Sequence, residues 1–110
     1  MASRLDRITE WKRAARKAGY SVEALARRVG VTDRQLERFF WRRFACKPKK
    51  WMDVLRMADS QRDMRRGLMI KEVAQRRGFK HVQDFIRAFK RVTGFKSSAS
   101  RNRKPPDLRP

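Results

Sequence analysis

A chain of 110 residues that is 40% hydrophobic, with three Trp and seven Phe, can fill one modest core or two very small ones. This excludes a large multi-domain enzyme and a wholly disordered polybasic protein. With 31 basic and 11 acidic residues the formal net charge is +20, a self-repelling field that calls for a polyanion, either nucleic acid or an anionic membrane surface.

The elements expected in chain order are all helices. The first runs from about Arg4 to Ala18, with Ser3 as N-cap and Gly19 as its stop. Leu5, Ile8, Trp11, Ala15 and Ala18 recur every three or four residues and share one face. A short second helix covers about Val22 to Val29, between Ser21 and Gly30. The third starts after Thr32, which forms a capping box with Gln35, and runs to about Phe44. Pro48 suits the first turn of a fourth helix, which carries Trp51, Val54, Leu55 and Ala58 on one face and ends near Gly67. A fifth spans Ile70 to Arg77 and stops at Gly78. A sixth spans about His81 to Val92 and stops at Gly94. From Phe95 onward a short cap and a flexible basic tail are expected.

Two stretches repeat. VEALARRVG at 22–30 matches IKEVAQRRG at 70–78 with a shift of 48, pairing Leu25 with Val73, Ala26 with Ala74 and Gly30 with Gly78. Beyond the glycine the shift is 49, pairing Leu36 with Phe85, Phe40 with Phe89 and Ala45 with Gly94. The second turn is therefore one residue longer. Each copy has the form of a helix-turn-helix. A small alanine lets two helices approach, a glycine takes the sharp turn, and apolar residues hold the second helix to the core. Its outward face is then free to enter a major groove. A single match is weak, since such spacing occurs by chance in helical hairpins. Two matches in register, in a chain this basic, weigh against a bundle duplicated for packing alone.

The expected fold is all-α. Two helix-turn-helix units, homeodomain-like subdomains, are joined by a long linker helix. The expected boundaries are 1–46 for the first unit, 47–67 for the linker, 68–101 for the second unit and 102–110 for the tail. Pro48 to Arg66 is 19 residues, about 28 Å of helix at 1.5 Å per residue. One turn of B-DNA is about 34 Å. Two recognition helices so separated suit successive major grooves of one duplex, with DNA bending to absorb any mismatch.

This arrangement resembles the arabinose-regulator (AraC/XylS-type) family of bacterial transcription factors over about residues 4 to 101. The marks are Leu25-Ala26-x-x-x-Gly30, Leu36, Phe40, Pro48, Ile70-x-x-x-Ala74-x-x-x-Gly78-Phe79, Phe85, Phe89-Lys90 and Gly94. The resemblance implies two helix-turn-helix units on one asymmetric DNA site. Such domains usually accompany an effector-binding or dimerisation domain, for which 110 residues leave no room. The chain is therefore expected to be a stand-alone member or an excised DNA-binding domain. It departs from the family at Ala45, where Gly is usual, and after Gly94, where a Ser-Pro pair is replaced by Phe95-Lys96-Ser97-Ser98. Val82 and Asp84 are unusual residues for a DNA-facing surface.

Helical position and the resemblance together give the candidate base-reading residues. They are Arg34, Glu37 and Arg38 on the third helix, and Val82, Gln83, Ile86 and Arg87 on the sixth. Arginine grips guanine O6 and N7, glutamine adenine N6 and N7, and valine packs on a thymine methyl. Glu37 either accepts from cytosine N4 or, the favoured reading, holds Arg34 in place. Ile86 is an apolar base contact or a partly buried helix residue. Arg42, Arg43, Lys80, His81, Lys90 and Arg91 flank these helices and are placed for phosphates, or are solvated basic side chains. Trp11, Trp51, Phe39, Phe40, Phe44, Phe79, Phe85 and Phe89 fall on the buried spacing. Trp41 points elsewhere, to cover the domain or to contact DNA.

Arginine outnumbers lysine 21 to 10, which leans toward phosphate and guanine recognition, although GC-rich codon usage gives the same bias. Chemistry finds little support. His81 is the only histidine, and Cys46 has no histidine near it in sequence, so no catalytic, metal or cofactor site is expected. No apolar run approaches the roughly 18 to 20 residues of a membrane span, and the opening Met-Ala-Ser-Arg-Leu-Asp has no apolar signal core. A single Cys fits a reducing compartment. The expected partner is double-stranded DNA, bound by a monomer in the cytoplasm as a nucleoid-associated protein, with RNA polymerase as a further partner and no membrane. The leading expectation is a sequence-specific transcription regulator and not an enzyme. The alternative is a non-specific nucleic-acid-binding accessory or packaging protein. A membrane-active cationic helical protein is third, and the turn glycines and capping box argue against it.

Overall fold

The computed structural model describes residues 10–94, and every regular element among them is an α-helix. These are α1 (Trp11–Lys17), α2 (Val22–Val29), α3 (Asp33–Phe44), α4 (Pro48–Arg65), α5 (Ile70–Arg76) and α6 (Val82–Thr93). All six helices read from the glycine stops are present. The expected Ser3 cap, the turn carrying Leu5 and Ile8, and the segment after Gly94 lie outside the described residues.

Contacts divide the chain inside α4, between Met52 and Asp53. The first unit holds α1, α2, α3 and the opening turn of α4. Its core is aromatic. Trp11 meets Phe40 edge-on with ring centres 5.1 Å apart and lies 5.3 Å from Phe39. Phe44 stacks on Trp51 at 5.4 Å and lies 4.8 Å from Phe40. Ala15, Leu25, Ala26, Leu36, Pro48 and Met52 are buried with them. Fully burying a large apolar side chain contributes about 1.5–3 kcal/mol, so this cluster is the main reason the unit folds. Ser21 caps α2 by accepting from the Ala24 amide, and Thr32 and Gln35 form the expected capping box at α3. Ala45, the family departure, ends α3 in the left-handed region at φ 56. A residue with a Cβ costs about 1–2 kcal/mol in that conformation.

The second unit holds the rest of α4 with α5 and α6. Met57, Met64, Val73, Ala74, Phe85 and Phe89 form its core, against which Leu68, Ile70, Phe79, Val82, Ile86, Ala88 and Val92 pack. Its α4 segment also buries four polar residues, Asp59, Ser60, Gln61 and Asp63. Buried charge is tolerated only when paired. Arg77, at the end of α5, supplies the pair for Asp63: its Nε and Nη2 donate to the two carboxylate oxygens at 2.8 and 2.9 Å. Arg56 joins them. Its Nε donates to the Arg77 carbonyl at 2.9 Å, and its guanidinium lies 3.7 Å from the centre of the Phe79 ring.

The backbone shows that the repeat reaches further back than residue 22. In the α2–α3 turn the Val31 amide donates to the Ala26 carbonyl and the Gly30 amide to Arg27. In the α5–α6 turn Phe79 donates to Ala74 and Gly78 to Gln75. Each pair closes a helix through a left-handed glycine. The α1–α2 turn recurs as well. Tyr20 donates to Ala15 and Gly19 to Arg16, while Leu68 donates to Asp63 and Gly67 to Met64. All four correspondences keep the shift of 48. Each unit is thus a three-helix repeat, and the second half of α4 is the first helix of the second copy. Two residues separate Gly30 from α3 and three separate Gly78 from α6, which is the extra turn residue read from the sequence.

Candidate nucleic-acid interface

The rotation of α3 is fixed by burial. Leu36, Phe39 and Phe40 are sunk in the first unit's core. Residues offset from them by half a turn must therefore face out. Arg34, Glu37 and Arg38 are all exposed on that outward face. Among the described residues no ion pair joins Glu37 to Arg34, so the expected holding role is not seen at this position. A pair of the same spacing, with the acid first and in the register of Gln35 and Arg38, occurs in the other unit. On α6, Arg87 Nη2 donates to Asp84 Oδ1 at 3.0 Å, one turn apart and at the surface. Asp84, unusual for a DNA-facing surface, thus orients an arginine. In water such an exposed pair contributes little to stability.

Phe85 and Phe89 play the part of Leu36 and Phe40 in α6, and leave Gln83 and Arg87 exposed. Val82 and Ile86 are half-buried and pack against the core, which leaves only part of each side chain at the surface. The six candidate phosphate residues are exposed. Arg42 and Arg43 lie in the last turn of α3, Lys90 and Arg91 in the last turn of α6, and Lys80 and His81 just before α6. Those in the last turns also complement the helix dipole, a structural reason for their presence. Lys80, His81 and Gln83 line an open cleft with Lys71, Gln75 and Phe79, so positive charge collects at the start of α6.

The aromatic residues separate as their spacing predicts. Trp11, Phe39, Phe40, Trp51, Phe85 and Phe89 are buried, and Phe44 and Phe79 are half-buried. Trp41 is 53% exposed. Sequence reasoning left its direction open, although its place seven residues after Arg34 on a regular helix puts it on the outward face. Reasoning from sequence also missed the Asp63–Arg77–Arg56 cluster, whose members are separated by up to 21 positions.

Among the described residues no group of three or more His, Cys, Asp or Glu is placed to hold a metal ion. Nor is any described helix long and apolar enough to cross a membrane. Cys46 is half-buried, and burial pushes its thiol above the ordinary value, against the opposing pull of Lys50.

Two units that each turn through a left-handed glycine and present a polar, arginine-bearing second helix define the class: a DNA-binding helix-turn-helix protein. The family model of the AraC-type helix-turn-helix domain matches residues 25–103, and the chain belongs to that family. DNA-binding transcription regulation is the activity this membership implies. No curated protein and no solved structure matches the chain.

Proposed function

We propose that the chain is a sequence-specific regulator that binds double-stranded DNA as a monomer and reads two successive major grooves with α3 and α6. The observation that carries this reading is the matched pair of exposed faces. Arg34, Glu37 and Arg38 lie on one, and Gln83 and Arg87 on the other, each opposite a buried apolar stripe. Guanine is the natural target of the three arginines and adenine of Gln83. Val82 and Ile86 add apolar contact with the part of each side chain that packing leaves outside. Arg42, Arg43, Lys80, His81, Lys90 and Arg91 bind phosphates and set the register. Two reading helices in one chain remove the need for a dimer. The reading extends to the cytoplasm and nucleoid as the site of action. It also takes RNA polymerase as the partner on the promoter, which a regulator either recruits or blocks.

The net charge of +20 supports a second reading, non-specific nucleic-acid packaging. Selection of bound duplexes from a random pool, followed by fluorescence anisotropy at moderate salt, separates the two. The sequence-specific reading expects one enriched site, bound by one chain and far more tightly than random duplex. Equal affinity for all duplexes would establish the packaging reading instead. Within the first reading, Arg38→Ala lowers affinity for the selected site by about 1–3 kcal/mol and relaxes one base pair. Lys90→Ala weakens all duplexes alike and lowers the salt slope by about 1. Identical behaviour of the two variants would overturn the division of roles.

A further inference from the structure

We infer that Trp41 is a DNA-contacting residue of the first unit, its indole packing on the duplex beside the bases that Arg34 and Arg38 read. The inference rests on the proposed function and adds a residue to its interface. Trp41 follows Arg34 by seven positions, Glu37 by four and Arg38 by three, so the four side chains form one stripe along α3. Trp11, Phe39, Phe40, Phe44 and Trp51 pack ring against ring, and no ring contact joins Trp41 to that cluster among the described residues. Its 53% exposure therefore leaves a large apolar surface in water, within a stripe otherwise polar and cationic.

The neighbours identify the occupant. Arg34 and Arg38 share its stripe and Arg42 follows it in the chain, all three exposed, against the single acid Glu37, so the surface around it is net positive and what covers it carries negative charge. A second copy of this chain brings +20 of its own and is repelled. A lipid surface requires an apolar helix face, and the apolar face of α3 is already spent on Leu36, Phe39 and Phe40 in the core. A duplex meets both demands. It presents phosphates to the arginines, and deoxyribose and thymine methyl groups to the indole. The indole N–H remains available to donate to a phosphate oxygen. The ring also excludes water from the neighbouring arginine–guanine contact.

The test uses the tryptophans as they stand. Trp11 and Trp51 are each only 3% exposed, so acrylamide quenching of the native chain reports chiefly on Trp41, and Trp41→Phe supplies the baseline. On saturation with the duplex selected from a random pool, quenching of the native chain should fall to that baseline. Anisotropy of labelled duplex, read in the same samples, reports binding independently. Binding with Trp41 quenching unchanged would overturn the inference and leave the proposed function standing. Absence of binding to any duplex would remove both. Shielding of Trp41 without DNA, together with a dimer in sedimentation, would also overturn it by making this face a self-association surface. Trp41→Ala should raise Kd for the selected duplex about tenfold, or about 1.4 kcal/mol, with no change in the unfolding midpoint. An unchanged Kd counts against the inference.

Discussion

The two units share a backbone and differ in what holds it. At the shift of 48, Trp11 corresponds to Asp59, Ala15 to Asp63 and Val29 to Arg77. The first unit fills these positions with apolar groups and closes its core with a cluster of five rings, mostly edge-on or tilted. The second places a buried carboxylate where the first has an alanine, and joins it to an arginine at the end of α5. Helix starts differ in the same sense. Ser21 and Thr32 cap α2 and α3 in the first unit, whereas Met69 and His81, at the starts of α5 and α6, offer no side-chain cap in the second. One chain topology is thus reached once by apolar packing with local capping, and once by apolar packing with a long-range ionic clamp. The turn glycines and their hydrogen bonds, common to both, are what the topology demands.

This contrast can be broken experimentally. The largest effect is expected at the clamp. Arg77→Ala leaves Asp63, 1% exposed, without its bidentate partner, and removing one member of a buried pair costs about 3–5 kcal/mol. The lower end applies, because Arg76 lies within 4.0 Å of Asp63. Urea unfolding measures it, and an unchanged midpoint would show that the clamp holds nothing. Combining Asp63→Ala with Arg77→Val installs the first unit's residues in the second and should recover most of the loss. A smaller effect is expected at the caps. Thr32→Ala removes the capping box at a cost of about 1 kcal/mol, and His81→Ala costs α6 nothing comparable because no cap bond is lost. Equal costs in thermal unfolding would erase the asymmetry. The smallest effect has the opposite sign. Ala45→Gly relieves the left-handed strain at the end of α3 and should stabilise the first unit by about 0.5–1 kcal/mol, after the added freedom of the unfolded chain is discounted. A fall in melting temperature would show that the alanine methyl makes a contact worth more than the strain.

Much of this was legible in the sequence wherever one residue type has one physical use. Gly30, Gly78 and Gly94 marked helix ends because left-handed backbone favours glycine, and all three have positive φ. Thr32 and Gln35 marked a helix start because their spacing lets each bond the other's backbone. Arg34, Arg38, Gln83 and Arg87 were placed outward because Leu36, Phe40, Phe85 and Phe89 are sunk in the cores. Sequence failed where one position has two uses. The backward extension of the repeat was hidden because Trp11 and Ala15 bear no chemical likeness to Asp59 and Asp63, although each pair is buried at equivalent positions. The clamp joins residues 14 positions apart on different helices, beyond any local periodicity. Val82 and Ile86 lie at the edge of the buried stripe, where spacing alone does not decide between core and surface.

The distribution of tryptophan has a practical consequence. Trp11, Trp41 and Trp51 all belong to the first unit, and the second contains none. Intrinsic emission during melting therefore follows the aromatic-cored half alone, while far-ultraviolet circular dichroism follows helices throughout. Coincident curves from the two probes would satisfy the usual test for a single cooperative transition. Separated curves would give the stability of each half from one unlabelled sample, so the native chromophores already distinguish the ring-packed half from the clamped one.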